Sequence, residues 1–359
     1  MKIVICGLSI TSSWGNGHAT TYRALARALR ARGHEIIFFE KDVEWYASNR
    51  DMQPPFCRVH LYERWQDVIS LLRSELADAD VAMVGSFCPD GVKAIDEVLD
   101  SAASIKAFYD IDTPITASKL RAGDAEYLRR DQISGFDVYF SFTGGPMLQE
   151  LQTQFGAKRA VPLYCSFDPD RYGWREPDPR YKCDLSYMGT YAPDRHAKLE
   201  ELFCTPAQQL AQKDFLLAGP QYPSDVAWPK NVRRVIHLEP VFHPYFYSSS
   251  VFTLNLTRSE MVAAGYSPSV RIFEAAGCGS AIISDVWPGL ETFFTPGDEI
   301  LLARSSSDVT RYLGDITPDD ARKLGLRAQE RVLAEHSSKR RAIQFEEMIG
   351  AKQPVGQFA

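Results

Sequence analysis

Ser267-Pro268-Ser269-Val270-Arg271-Ile272-Phe273-Glu274-Ala275-Ala276-Gly277-Cys278-Gly279 runs into the apolar stretch Ala281-Ile282-Ile283, which closes on Ser284-Asp285. The pattern predicts a capped helix feeding a buried strand, the unit from which parallel α/β sheets are built. Ser267 suits the N-cap and Pro268 the first helical position, which leaves the backbone N–H groups of Ser269 and Val270 and the positive helix end facing outward. Arg271 and Glu274, three residues apart, share a helix face. A guanidinium beside a helix start suits phosphate, and a carboxylate one turn further in suits a pair of sugar hydroxyls that donate to it. An ordinary capped helix with a surface Arg-Glu pair has the same local pattern.

Working outward, the chain alternates strand and helix on both sides of this run. Lys2 to Cys6 is a short apolar strand, followed by a Gly/Ser/Thr/Trp-rich loop and a helix with Tyr22, Leu25, Ala26 and Leu29 on one face. Further strands are expected at 35–39, 81–84, 105–109, 138–142 and 159–163, with helices at 65–77 and 146–155. Aperiodic sequence rich in Pro, Asp, Tyr and Arg follows, and a second series begins: strands at 184–188, 215–217, 234–237, 251–255, 281–283 and 299–303, with a helix from Arg195 to Phe203. The predicted organisation is an N-terminal domain 1–165, a linker 166–182, a second domain 183–335 and a C-terminal segment 336–359. The fold class is α/β, with two Rossmann-like, doubly wound parallel sheets.

At 359 residues the chain exceeds what one hydrophobic core ordinarily serves. The formal net charge of −6, with no block of like charge, points away from a dedicated nucleic-acid or anionic-membrane surface. No apolar stretch is long enough to span a bilayer and Met1-Lys2 leads directly into a strand, so a cytoplasmic protein is expected. The seven cysteines form no Cys-x-x-Cys pair, which predicts reduced thiols and no zinc pattern.

The run Ser-x-Arg-x-Phe-Glu-Ala-x-Gly-x-Gly, with Asp285, Gly289 and Glu291 after it, resembles the donor-site segment of GT-B glycosyltransferases. The resemblance is to the family-4-like transferases related to the spore maturation protein CgeB. It implies two domains facing a cleft, a C-terminal helix crossing back to the first domain, and transfer of a sugar from a nucleoside diphosphate sugar, UDP-linked by family frequency, to an acceptor. It implies no cofactor and no essential metal. The donor and an acceptor (glycan, protein or small molecule) are the expected partners, and a homodimer is left open.

Other residues complete the expected site. The loop Ser12-Ser13-Trp14-Gly15-Asn16-Gly17-His18 lies at the carboxyl edge of the first sheet, where α/β proteins bind ligands; Gly15 and Gly17 permit close backbone approach and His18 stands ready to exchange a proton. The loop lacks the third glycine of the dinucleotide fingerprint. Asp110 and Asp112 in Tyr109-Asp110-Ile111-Asp112-Thr113-Pro114 share a direction in strand geometry, and the element resembles the Asp-x-Asp-x-Pro of CgeB-like transferases, which makes Asp112 the acceptor-handling residue. In the second domain Gly189 and Arg195 follow one strand, Gly219 another. The resemblance places the nucleotide base against the chain near Gly219, His237 and Leu238, and Arg258 ends a further strand toward phosphate or sugar. One departure stands out: Tyr266 occupies the place of the first of two glutamates, eight apart, found in many retaining GT-B enzymes. Retention or inversion therefore stays open, as do a nucleotide-sugar epimerase or hydrolase and a non-catalytic nucleotide-sugar-binding protein on the same fold.

Overall fold

Near-continuous apolar strands, flanked by helices with one buried face, can satisfy their backbone only by stacking side by side beneath helices on both faces. The computed structural model, which describes residues 1–14, 17–52 and 55–350, does this twice. The chain divides into one unit of Met1–Ser166 together with the chain from Ser338 on, and a second of Phe167–Ser337.

The first unit is built on β1 (Lys2–Gly7), β2 (Glu35–Lys41), β3 (Arg58–Tyr62), β4 (Val81–Gly85), β5 (Ile105–Asp110), β6 (Val138–Ser141) and β7 (Ala160–Pro162). They form one parallel sheet in the order β3-β2-β1-β4-β5-β6-β7. The second unit contains β8 (Cys183–Met188), β9 (Phe215–Ala218), β10 (Val232–Val235), β11 (Ser250–Asn255), β12 (Ala281–Asp285) and β13 (Leu301–Ala303), all parallel, in the order β10-β9-β8-β11-β12-β13. Each sheet reverses direction once, between β1 and β4 and between β8 and β11. At such a switch point the loops leaving the carboxyl ends diverge and open a crevice.

The interior strands stand where the sequence places them, and the edges differ. Strand β3, Arg-Val-His-Leu-Tyr, was not expected: it is an edge strand in which only Tyr62 is buried, so its alternation carries little apolar signal. Strand β10 starts two residues before the expected 234–237, because Val232 and Val235 turn partly inward while Arg233 and Arg234 stay exposed. The expected linker 166–182 is anchored from Phe167 onward in the second unit. Phe167 is fully buried, its ring lies where a Cβ on Gly277 would come within 2.6 Å, and it bridges to Ser337.

The last helix, Ser338–Met348, returns to the first unit and packs on the helix His18–Ala31. Glu346 is nearly buried there and accepts from Arg32 through Nε and Nη2, both at 2.6 Å, and lies 2.7 Å from His34 Nε2. The Phe345 ring packs on Phe140 at 5.3 Å between centroids. All seven cysteines are buried thiols outside any disulfide. Among the described residues no helix is long and apolar enough to cross a membrane.

Candidate functional site

At the switch point of the second unit the end of β8 and the end of β11 are joined by one side chain. Arg271, in the helix Val270–Gly277, donates from Nε to the Met188 carbonyl at 2.5 Å and from Nη1 to Asn255 Oδ1 at 3.1 Å and the Leu256 carbonyl at 3.3 Å. Its guanidinium lies over the Tyr187 ring, 5.2 Å from the centroid. These bonds hold Nε and Nη1 of the planar fork. The Nη2 edge lies beside Gly189, where a Cβ would come within 2.9 Å of Nη2 and 2.7 Å of the Tyr187 hydroxyl. Gly219 is equally constrained: with φ at +153° it brings its Cα so near the Gly189 carbonyl that a Cβ would sit 2.0 Å from that oxygen. Gly189 N–H donates to Ala218 at 2.8 Å, which locks the two loops together.

The helix begins later than its sequence suggests. Ser267 is fully buried and precedes the helix, Pro268 is not its first residue, and the N-cap is Ser269, with φ −79° and ψ 148°. Ser269 caps nothing with its side chain, because its hydroxyl donates to Asn255 Oδ1 at 2.9 Å. That bond holds Ser269 extended at the end of β11, so the first turn starts at Val270 and its leading N–H groups are those of Val270 and Arg271. Upstream, Tyr266 takes a left-handed φ of +47°; its N–H donates to Pro288 at 2.7 Å and its ring covers Gly289.

Glu274, one turn on, is buried beside Tyr172, which hydrogen-bonds it. Burial raises its carboxyl to about 7, against the opposing pull of Tyr172 and Arg271. Arg195 is the third residue of the helix Pro193–Leu199 rather than its start, since Pro193 opens that helix. Arg195 donates from Nη2 to the Thr190 carbonyl at 2.7 Å, while its Nε is buried with no hydrogen-bond partner among the described residues. Burial, with Arg271 adding repulsion, pulls its guanidinium down from the usual value. Arg195 also lines a small cavity with Tyr187, Tyr191, His196 and Tyr222. Lys198, one turn beyond and not singled out from sequence, lies 2.5 Å from Asp285 at the end of β12; Asp285 also accepts from the Thr257 N–H and hydroxyl. Arg258 caps the helix Ser259–Ala264; its Nε is 3.9 Å from Asp194 and lacks a hydrogen bond. Leu238 is buried, and His237 is exposed in the loop after β10.

The first unit presents different chemistry. His18 begins the helix His18–Ala31, whose N-cap is Gly17, and its Nε2 lies 2.8 Å from Asp112 Oδ2. The ring is nearly buried, its Nδ1 has no partner among the described residues, and Phe87 meets it edge-on at 5.8 Å. Phe87 follows β4 at the switch point and has a left-handed φ of +57°, rare for a bulky residue. Among the described residues, chain neighbours apart, no atom lies within 4 Å of where a Cβ on Gly17 would stand. Gly15 lies outside the described residues.

The two aspartates do not share a direction, contrary to the strand reading. β5 ends at Asp110, which turns inward, buried, to accept from Tyr139 at 2.6 Å and Thr116 at 2.7 Å. Burial raises its carboxyl to about 6. Asp112 is the N-cap of the helix Thr113–Ala122 and turns to His18. A buried glutamate at the end of β2 holds the loop before His18: Glu40 accepts from Ile10 N–H at 2.6 Å, Thr11 N–H at 2.9 Å and the hydroxyls of Ser9 and Thr11. An acid ending an apolar strand was its signal in the sequence. Among the described residues no group of three or more His, Cys, Asp and Glu is placed to hold a metal ion.

Comparison with known proteins matches residues 195–347 to the family described as glycosyl transferase-like. No curated protein sequence gave a significant match. Among solved structures, Anabaena HepE in complex with UDP and glucose aligns with a TM-score of 0.70 at 11% identity, over 98% of this chain and 99% of that one. Sucrose-phosphate synthase from Thermosynechococcus elongatus aligns with a TM-score of 0.67 at 14% identity, over 97% and 98%. An alpha-glucosyltransferase in complex with UDP-glucose and DNA containing an abasic site gives 0.70 at 12% identity, over 98% and 99%. The two parallel sheets of seven and six strands, matched along nearly the whole of each of these chains, are the GT-B fold.

Proposed function

We propose that the protein transfers a sugar from a UDP-linked donor to an acceptor hydroxyl, with the second unit binding the donor and the first handling the acceptor. The observation that carries this reading is the Arg271 guanidinium, held through Nε and Nη1 by Met188, Asn255 and Leu256 with its Nη2 beside Gly189. A preorganised cation at a switch point is suited to the charge that develops on a departing diphosphate, and it needs no rearrangement as that charge appears. Arg195 and Arg258, whose Nε atoms make no hydrogen bond among the described residues, add donors of the same sign. Glu274 would take the ribose hydroxyls. In the first unit the Asp112 carboxylate orients His18, which would take the acceptor's proton as its oxygen attacks the anomeric carbon. Structures of similar fold include complexes with UDP and with UDP-glucose, which supports the uridine donor. The Asp110-Ile111-Asp112-Thr113-Pro114 element favours the CgeB-like group within the fold.

Calorimetric titration of UDP into the wild-type protein and Arg271→Ala tests the reading. The variant is expected to lose about 1.5 to 3 kcal/mol of affinity, the range for hydrogen bonds to charged groups. Equal affinity in the two proteins would remove Arg271 from the site. Glu274→Ala should weaken UDP but leave inorganic pyrophosphate unchanged.

A further inference from the structure

Behind Glu274 runs a chain of hydrogen bonds that the donor reading leaves unused. Tyr172 hydrogen-bonds the Glu274 carboxyl, and its hydroxyl lies 3.2 Å from Nδ1 of His243. His243 opens the helix His243–Ser249, and its Nε2 lies 3.2 Å from the carbonyl oxygen of Leu238 in the loop after β10. The chain therefore links the carboxyl on the helix Val270–Gly277 to the backbone of a loop on the far side of β8.

Its donors and acceptors can be assigned. A carbonyl oxygen only accepts, so Nε2 carries the ring hydrogen. Burial, with His237 adding repulsion, holds His243 down at about 4, which leaves the imidazole neutral and Nδ1 a lone-pair acceptor. Tyr172 then gives its single hydrogen to Nδ1, and its oxygen can only accept from Glu274, which requires the protonated acid. Burial raises the Glu274 carboxyl to about 7 and so favours that acid, while a bond donated by Tyr172 favours the carboxylate, so both ends of the exchange are within reach. Tyr247, from the helix His243–Ser249, and Cys278 also neighbour this carboxyl, both held protonated by burial, and Arg271 is its cationic neighbour. Arg175 acts on Cys278. From the helix Pro318–Glu335, Arg322 and Gln329 bond the carbonyls of Gly279 and Gly277, at the other end of the Glu274 helix.

We propose that Tyr172 and His243 are positioning residues that couple the proton on the Glu274 carboxyl to the hydrogen bond on the Leu238 carbonyl, so that binding a nucleoside ribose expels one proton and frees that carbonyl for a nucleobase N–H. The step balances along the chain. The Glu274 O–H bond breaks as its proton passes to the Tyr172 oxygen, the former Tyr172 proton forms the N–H at Nδ1, and the Nε2 proton leaves to solvent. Glu274 ends as a carboxylate accepting from Tyr172, and His243 ends neutral in its other tautomer, no longer holding Leu238. The link to donor binding rests on Glu274 being the ribose ligand; the tautomer exchange does not.

Two measurements separate these parts. In the ligand-free protein, 15N NMR of the histidine side chains should show His243, assigned by its loss in His243→Gln, passing from the Nε2–H to the Nδ1–H tautomer with a midpoint near 7. Glu274→Gln and Tyr172→Phe should each abolish the exchange, and Tyr172→Phe carries the test if the other variant fails to fold. One tautomer throughout, or an exchange unchanged in both variants, overturns the relay. Titration with UDP-glucose, whose phosphates keep a constant charge in this range, should then give about tenfold tighter binding at pH 8 than at pH 6 as the carboxyl ionises. A flat affinity alongside tautomer exchange overturns the coupling but leaves the donor reading standing. Exchange with no UDP-glucose binding at any pH overturns the donor reading, and the coupling with it.

Discussion

The two sheets share one strand order and one switch point, yet the ends of their strands are furnished with opposite charges. In the first unit the carboxyl edge collects Glu40, Asp110, Asp112 and His18; in the second it collects Arg271, Arg195 and Lys198, with Asp285 held against the lysine. Topology fixes where a crevice forms, and the side chains set there decide what can be done in it. An imidazole beside a carboxylate suits moving a proton, and fixed guanidinium groups suit holding an anion.

The strongest way to break that division is to disable one edge and ask whether the other notices. His18→Ala should lower kcat by about 10² to 10⁴, the span that general acid–base groups contribute, with the affinity for UDP unchanged. Asp112→Asn should lower kcat in the same direction by removing the carboxylate that lies 2.8 Å from Nε2. Steady-state kinetics beside a UDP titration would check both. A weakened UDP affinity in either variant would mean that the first unit also grips the donor, and the division would fail.

Much of this was legible in the sequence, and what was not has physical causes. The interior strands announce themselves as apolar runs because both of their faces are buried. Edge strands β3 and β10 are half solvated, so their residues carry a weaker pattern. Arg271 and Glu274 could be paired by spacing because helical periodicity is local. The partners of Arg271 could not: Met188 and Asn255 come from other strands, and only the strand order brings them together. For the same reason His18 and Asp112 were each identifiable, 94 residues apart, but their contact was not. The helix start was misplaced by two residues because Ser267-Pro268 is a good local cap, and the tertiary bond from Ser269 to Asn255 overrides it.

A smaller effect sharpens the comparison inside the second unit, at its two glycines. Gly219→Ala puts a Cβ 2.0 Å from a backbone carbonyl at φ +153°, where neither the oxygen nor the dihedral can yield cheaply. It should destabilise the protein by about 1 to 3 kcal/mol, the cost of holding such a conformation, read from urea unfolding. Gly189→Ala meets the Tyr187 hydroxyl and Arg271 Nη2, side-chain rather than backbone atoms. Its stability should change little while its UDP affinity falls, because the guanidinium is pushed off its mark. Equal effects of the two substitutions on stability would mean that the Gly189 neighbours are as rigid as backbone.

The smallest expected effects use pH to set one carboxyl of each unit against the other. Glu346 is held below the usual carboxylate range by the hydrogen bonds and charge of Arg32 and His34, which together outweigh its burial. Its contribution to stability is therefore present above the unfolded-state value near 4.5 and fades as pH falls below it. Glu274 is raised, so its sign is opposite: the folded state favours the acid, and stability is lost as pH climbs from about 4.5 through about 7. Glu346→Gln should accordingly cost about 1 to 2 kcal/mol at neutral pH, discounted from the range for charged hydrogen bonds because Arg32 remains partly solvated, and cost less in acid. Glu274→Gln should match the wild type near pH 5 and exceed its stability at pH 8, where the native carboxyl is ionised in a buried place. Urea unfolding at the two pH values checks both signs. A Glu274→Gln protein less stable than the wild type at pH 8 would mean that the carboxylate is satisfied as an anion by Tyr172 and Arg271, and the contrast between the two units would reduce to their arginines and histidine alone.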